Sequence, residues 1–160
     1  MLVTCFSEKL TAQNTDKDGS PKYYRIHNVI ATRYTFDVLN DSIPLYTFYF
    51  KINVKKIGKT QIVKVTANDS LAYSMFTTYK KYNSFDFGPY MSNKKEVNII
   101  LPILVLNNDG KDFSAFSKVP LISVSEVVKL FERILYLTRS EPNILMLGIM
   151  RVEKLNIPKK

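Results

Sequence analysis

The stretch KINVKKIGKTQIVKV, residues 51–65, spells Gly58-Lys59-Thr60, the closing letters of a phosphate-binding loop. Such a loop wraps phosphates with bare backbone, so it needs a glycine five residues before its last glycine. It must also open directly into a helix whose N-terminus faces the anion. Here the earlier position is Asn53, and Val54, Lys55, Lys56 and Ile57 fill the interval. After Thr60 come Gln61, Ile62, Val63, Lys64, Val65 and Thr66, in which β-branched residues favour a strand. Both requirements fail. The segment reads as a β-hairpin, with a strand ending near Val54, a lysine-rich tip turning at Gly58, and a return strand from about Thr60.

Other residues able to do chemistry are sparse. Histidine supplies most general bases, and the chain has one, His27. Cys5 stands in an apolar context that suits a packed side chain better than a nucleophile, and as the single cysteine it points to a reducing compartment. No cysteine and histidine spacing matches a zinc site. The aspartates fall in turn-like stretches, Asp16 with Asp18, Asp37 with Asp41, Asp109 with Asp112, where they bond their own backbone. Metal-dependent nucleases instead need carboxylates converging from rigid elements. Five glycines make no dinucleotide fingerprint. The expectation is a non-catalytic protein without metal or cofactor.

Cations and rings, by contrast, are plentiful. The formal charge is +9, and from Lys51 to Lys95 nine lysines stand against only Asp69 and Asp86. There are ten tyrosines and ten phenylalanines. A groove that tracks phosphates with Lys and Arg while offering rings for bases to stack on requires these two residue types interleaved. The candidates are Arg25, Arg33, Tyr49, Lys51, Lys55, Lys56, Lys59, Tyr79, Lys80, Lys81, Tyr82, Lys94 and Lys95. A plainer reading has the lysines keeping a strand-rich surface soluble and the tyrosines packing their rings inward. Two partner classes therefore stand side by side. One is single-stranded nucleic acid; the other is protein, in an assembly such as a viral particle, further copies of this chain included. Duplex recognition is disfavoured because the clearest helix has a mixed-charge outer face.

Positioning these residues falls to an α+β fold in one domain spanning 1–160: a mainly antiparallel twisted sheet with a projecting basic hairpin, packed against an amphipathic helix. An exposed loop is expected over about 11–22. From Tyr23 to Val38 alternation places Tyr24, Ile26, Ile30, Tyr34, Phe36 and Val38 on one face, which reads as one or two strands with Arg25 and Arg33 outward. Residues 39–44 turn the chain. LYTFYFKINV then alternates, burying Tyr46, Phe48, Phe50, Ile52 and Val54 and directing Leu45, Tyr49 and Lys51 away. A short helix is read over about 71–82, capped from ANDS, and a buried strand over 97–106 in which Pro102 implies a bulge or an edge.

The strongest local signal is at Ser123, which forms a capping box with Glu126 and is flanked by Ile122 and Val127 as a hydrophobic staple. It opens a helix over about 123–139 with Val124, Val127, Leu130, Phe131, Ile134 and Leu135 as the buried stripe and Phe131 as its anchor. A last strand from NILMLGIMRV inserts into the sheet, leaving a short basic tail over about 153–160. A sheet backed by a helix is similar in outline to sheet-plus-helix single-strand binders. The opening MLVTCFSEKL has no basic leader, and VNIILPILVL is too short to span a bilayer, so a soluble chain without membrane insertion, cytoplasmic or virion-associated, is expected.

Overall fold

The computed structural model describes residues 23–40, 43, 45–91, 93–108 and 124–155. Cys5, the loop expected over 11–22, residues 109–112, Ser123 with its capping box, and residues 156–160 of the expected tail lie outside the described residues, while 153–155, read as the start of that tail, belong to the last strand. The architecture is α+β, built on an open five-stranded sheet that is mostly antiparallel.

The sheet grows from strand β1 (Leu45–Ile57), whose alternation buries Phe48, Phe50, Ile52 and Val54. It pairs antiparallel with β2 (Thr60–Ala67) on one side and with β3 (Glu96–Asn108) on the other. Ile57 pairs with Thr60, so Gly58 and Lys59 alone make the turn. Gly58 has φ +60°, and Lys59 is not among the positive-φ residues, which defines a type II′ hairpin turn matched to strand twist. The hairpin reading of Gly58-Lys59-Thr60 therefore holds, with β1 running three residues further than the sequence suggested. A methyl group at Gly58 would meet nothing within 4 Å, so Gly58→Ala is charged with backbone strain alone. An expected loss of about 1–2 kcal/mol in urea unfolding checks this.

β3 is a central strand, which corrects the edge or bulge expected from Pro102. On its far side β4 (Ile144–Met146) pairs with 98–100 and β5 (Met150–Leu155) with 103–108, both parallel to β3. Asn98 N donates to Asn143 O (3.0 Å) and Leu147 N donates to Ile100 O (2.9 Å), so even-numbered backbone groups of β3 point to that side. Pro102, which lacks an N–H, thus faces the gap between the two short strands, where no ladder bond is asked of it. The single last strand read from NILMLGIMRV is accordingly split in two around Leu147-Gly148-Ile149.

Helices cover both faces. One face is lined by Phe48, Phe50, Ile52 and Val54 with Val97, Ile99, Leu101, Ile103 and Val105. It is covered by α1 (Tyr24–Ala31), α2 (Ser70–Met75), a 3-10 helix (Thr77–Ser84) and α3 (Gly88–Met91), forming the main core. Parallel pairing of β3 with β4 requires a crossover, supplied by α4 (Val124–Ser140) on the opposite face. There Leu130 and Ile134 meet Ile100, with Tyr49, Leu137 and Ile144 around them in a small second core.

Two helical expectations change. The segment 24–31 is a helix and not a strand, because Tyr23, Ile26 and Ile30 recur at helical spacing and Asn28 and Thr32 break the two-residue period. The helix read over 71–82 divides. Asp69 caps α2, its Oδ1 accepting from Leu71 N at 2.8 Å, but the chain leaves α-geometry at Phe76 and tightens into the 3-10 helix.

Candidate nucleic-acid interface

Strand register decides which cations meet. Lys55 pairs with Glu96, the first residue of β3, and Lys56 N donates to Lys95 O at 2.8 Å. The hairpin therefore extends only a few residues beyond the start of β3, and its base lies against the loop carrying Lys94 and Lys95. Lys55, Lys56, Lys59, Lys94 and Lys95 are all exposed at this one end of the sheet. Lys64, which belongs with them, pairs with Asn53 on the same face as Lys55. Among the described residues none of these six lysines is in an ion pair, whereas Lys51 pairs with Glu141 and Arg151 with Glu153. Six ammonium groups at one end, with Glu96 and Asp86 as the adjacent carboxylates, repel one another. Any polyanion laid across them relieves that repulsion.

The surface beneath them is polar and held in place. Asn53 Nδ2 donates to Asn98 Oδ1 and to Glu96 Oε1, each at 2.8 Å, which fixes the ladder where the lysines emerge. Gln61 ties the hairpin to the helical layer: its Oε1 accepts from Phe87 N (3.0 Å) and its Nε2 donates to Asp86 Oδ1 (3.3 Å). The lysine-bearing end is thus a fixed platform.

The remaining candidates lie elsewhere. Tyr49 is half-buried beneath α4, and Lys51 is drawn into its ion pair with Glu141 at the end of that helix. The outward sheet face expected from Arg25, Arg33, Tyr49 and Lys51 does not form, because Arg25 belongs to α1, Arg33 to the segment after it, and α4 covers Tyr49. Tyr79 stacks inward on Phe50, with centroids 5.9 Å apart and planes 14° apart. Tyr82 is fully buried and its hydroxyl donates to Ile26 O at 2.9 Å. Burial pushes that phenol well above the ordinary tyrosine range. Neither ring offers a free face to a base, a correction to both as stacking platforms. Lys80 and Lys81 are exposed on the 3-10 helix, apart from the rings that the sequence interleaves with them.

His27 has a structural place. Its Nδ1 lies 2.9 Å from Tyr23 O and its Nε2 lies 3.0 Å from Gly148 O, so the ring ties α1 to the connection between β4 and β5. Among the described residues no group of three or more His, Cys, Asp or Glu side chains gathers, and no helix is long and apolar enough to cross a membrane.

Sequence reasoning missed one feature of this end. Tyr23, Tyr90, Met91, Val97 and Leu145 line a notch of about 170 Å³ with Lys94 beside it. The signal was present in GPYMSNKK, where a ring and a thioether precede two cations, but only the fold brings Tyr23 and Leu145 against them. No protein-family model matches the chain, and no curated protein or solved structure matches it significantly.

Proposed function

We propose that the protein is a non-catalytic binder of single-stranded nucleic acid that engages phosphates through the hairpin end. The observation that carries this reading is the convergence of Lys55, Lys56, Lys59, Lys64, Lys94 and Lys95 on one end of the sheet, without ion pairs among the described residues. Inward-facing Tyr49, Tyr79 and Tyr82 make the contact chiefly electrostatic, unlike the ring-lined groove that the sequence suggests.

The test is anisotropy with a mixed-sequence single strand at two ionic strengths. Replacing Lys55, Lys56 and Lys59 together by Gln is expected to weaken binding at least tenfold at low salt. It should also make the logarithmic salt dependence shallower by about 2, since each single-strand phosphate contact contributes about 0.7. The three side chains are exposed, so the melting curve should be unchanged. Undiminished affinity in the folded variant would remove the hairpin from the site.

Assembly with other protein chains is a second reading, and α4 favours it. Val128, Phe131 and Tyr136 are 45%, 37% and 72% exposed, which leaves apolar surface on the flank of a helix whose inner stripe is already satisfied. Light scattering separates the readings: a large species without affinity for single strands supports assembly.

A further inference from the structure

We propose that the notch beside Lys94 seats one pyrimidine base of a bound single strand. This rests on the proposed function and adds to it a base-sized site and a preference. The notch lies on the main-core face at the first residues of β3: Val97 pairs with Val54, and Leu145 pairs with Ile99. Tyr23 and Tyr90 form one wall, with centroids 6.1 Å apart and planes inclined by 34°. Met91 and Val97 form its floor, each 2% exposed. Lys94 N donates to Met91 O at 2.9 Å, which holds the exposed lysine at the mouth.

Size selects the occupant. The notch holds about 170 Å³. Sites for cofactor-sized ligands run from about 300 to 1,000 Å³, so a whole nucleotide does not fit inside. A cavity of about 150 Å³ accommodates a benzene ring, so one six-membered heterocycle fits and a fused purine is crowded. Chemistry agrees with size: the half-buried Tyr23 and Leu145 present edges against which an unstacked base packs, the buried Tyr90, Met91 and Val97 close the notch behind them, and an ammonium group at the mouth meets the phosphate attached to it. The route is continuous. Lys56 and Lys95 are joined through their backbones, Lys94 is the next residue, and the notch follows. A strand tracking these lysines can therefore turn one base inward. A duplex keeps its bases stacked and cannot do so without extrusion.

The full chain is titrated with oligo(dT) and oligo(dA) of equal length at low salt, and then photocrosslinked to a mixed-sequence strand carrying 5-iodouracil. The expected result is roughly tenfold tighter binding of oligo(dT), within the range that one stacked base contributes, and crosslinks at Tyr23, the accessible ring of the notch. Leu145→Phe, which fills the half-buried side of the notch, should abolish the preference while retaining salt-dependent binding. Crosslinking uses the unaltered protein, so a poorly folded variant does not decide the matter. Salt-dependent binding with equal affinity for the two strands and crosslinks elsewhere overturns the notch and leaves the phosphate platform standing. Absence of binding to either strand overturns both.

Discussion

Phe50→Ala is expected to lower stability by about 3–5 kcal/mol, read as a reduced urea midpoint at unchanged slope, whereas Phe131→Ala should cost under about 1 kcal/mol. Phe50 is 0% exposed and sits in the main core beneath α2 and the 3-10 helix. Its ring contacts Tyr73 at 5.9 Å and Tyr79 at 5.9 Å, and Phe76 meets it edge-on at 6.1 Å. Its backbone pairs with Ala67 on one side and Leu101 on the other. Removing the ring leaves a cavity that these rings cannot readily close, because the ladder fixes the backbone of Phe50 and Tyr73 has its own anchor. The Tyr73 hydroxyl accepts from Ala67 N at 2.7 Å. Phe131 instead sits on the flank of α4, 37% exposed, while Leu130 and Ile134 bury the inner stripe. Equal losses for the two variants would mean that α4 presents a different face to the sheet.

The contrast shows what the sequence makes legible. Period-two alternation in LYTFYFKINV places Phe48 to Val54 correctly because one face of β1 is buried along most of its length, and a register slip would expose every one of these side chains. Leu45 is the exception: it was expected outward, yet it is buried at 8% exposure. The stripe of α4 is legible in kind and wrong in width. Amphipathicity reports that a helix has an apolar side, but the curvature and extent of the sheet decide how much of it is covered, and here coverage stops short of Phe131.

Charge was harder to read. The hairpin lysines could be placed from local pairing, and Lys94 and Lys95 join them because β3 starts opposite Lys55. That is a non-local register absent from either segment alone. The tyrosines went astray for a different reason. In TTYKKY the ring and the ammonium alternate along the chain, but a 3-10 helix with about three residues per turn returns Tyr79 and Tyr82 to the same side. Both rings turn inward and Lys80 and Lys81 remain outside. Spacing that suggests an interleaved surface thus produces segregation.

Tyr82 gives that segregation a measurable consequence at alkaline pH. Its phenol is held above the ordinary value near 10 by burial, so in the folded protein it keeps its proton where the unfolded chain releases it. Stability from this group is complete below about pH 10 and falls as pH rises beyond it, by about 1.4 kcal/mol per pH unit. Other tyrosines and the lysines titrate in the same region, so the informative quantity is the difference between the wild-type protein and Tyr82→Phe. At neutral pH the variant loses one hydrogen bond to Ile26 O and should be less stable by about 1 kcal/mol. Above pH 10 the gap should close and then reverse, because phenylalanine has no proton to lose. Urea unfolding of both proteins at intervals from pH 8 to pH 12 follows the crossing. Curves that stay parallel throughout would mean that the Tyr82 phenol reaches water in the folded state, and the ring would then be restored as a face on which a base could stack. A crossing keeps the ring in the core, where it offers no face to a base.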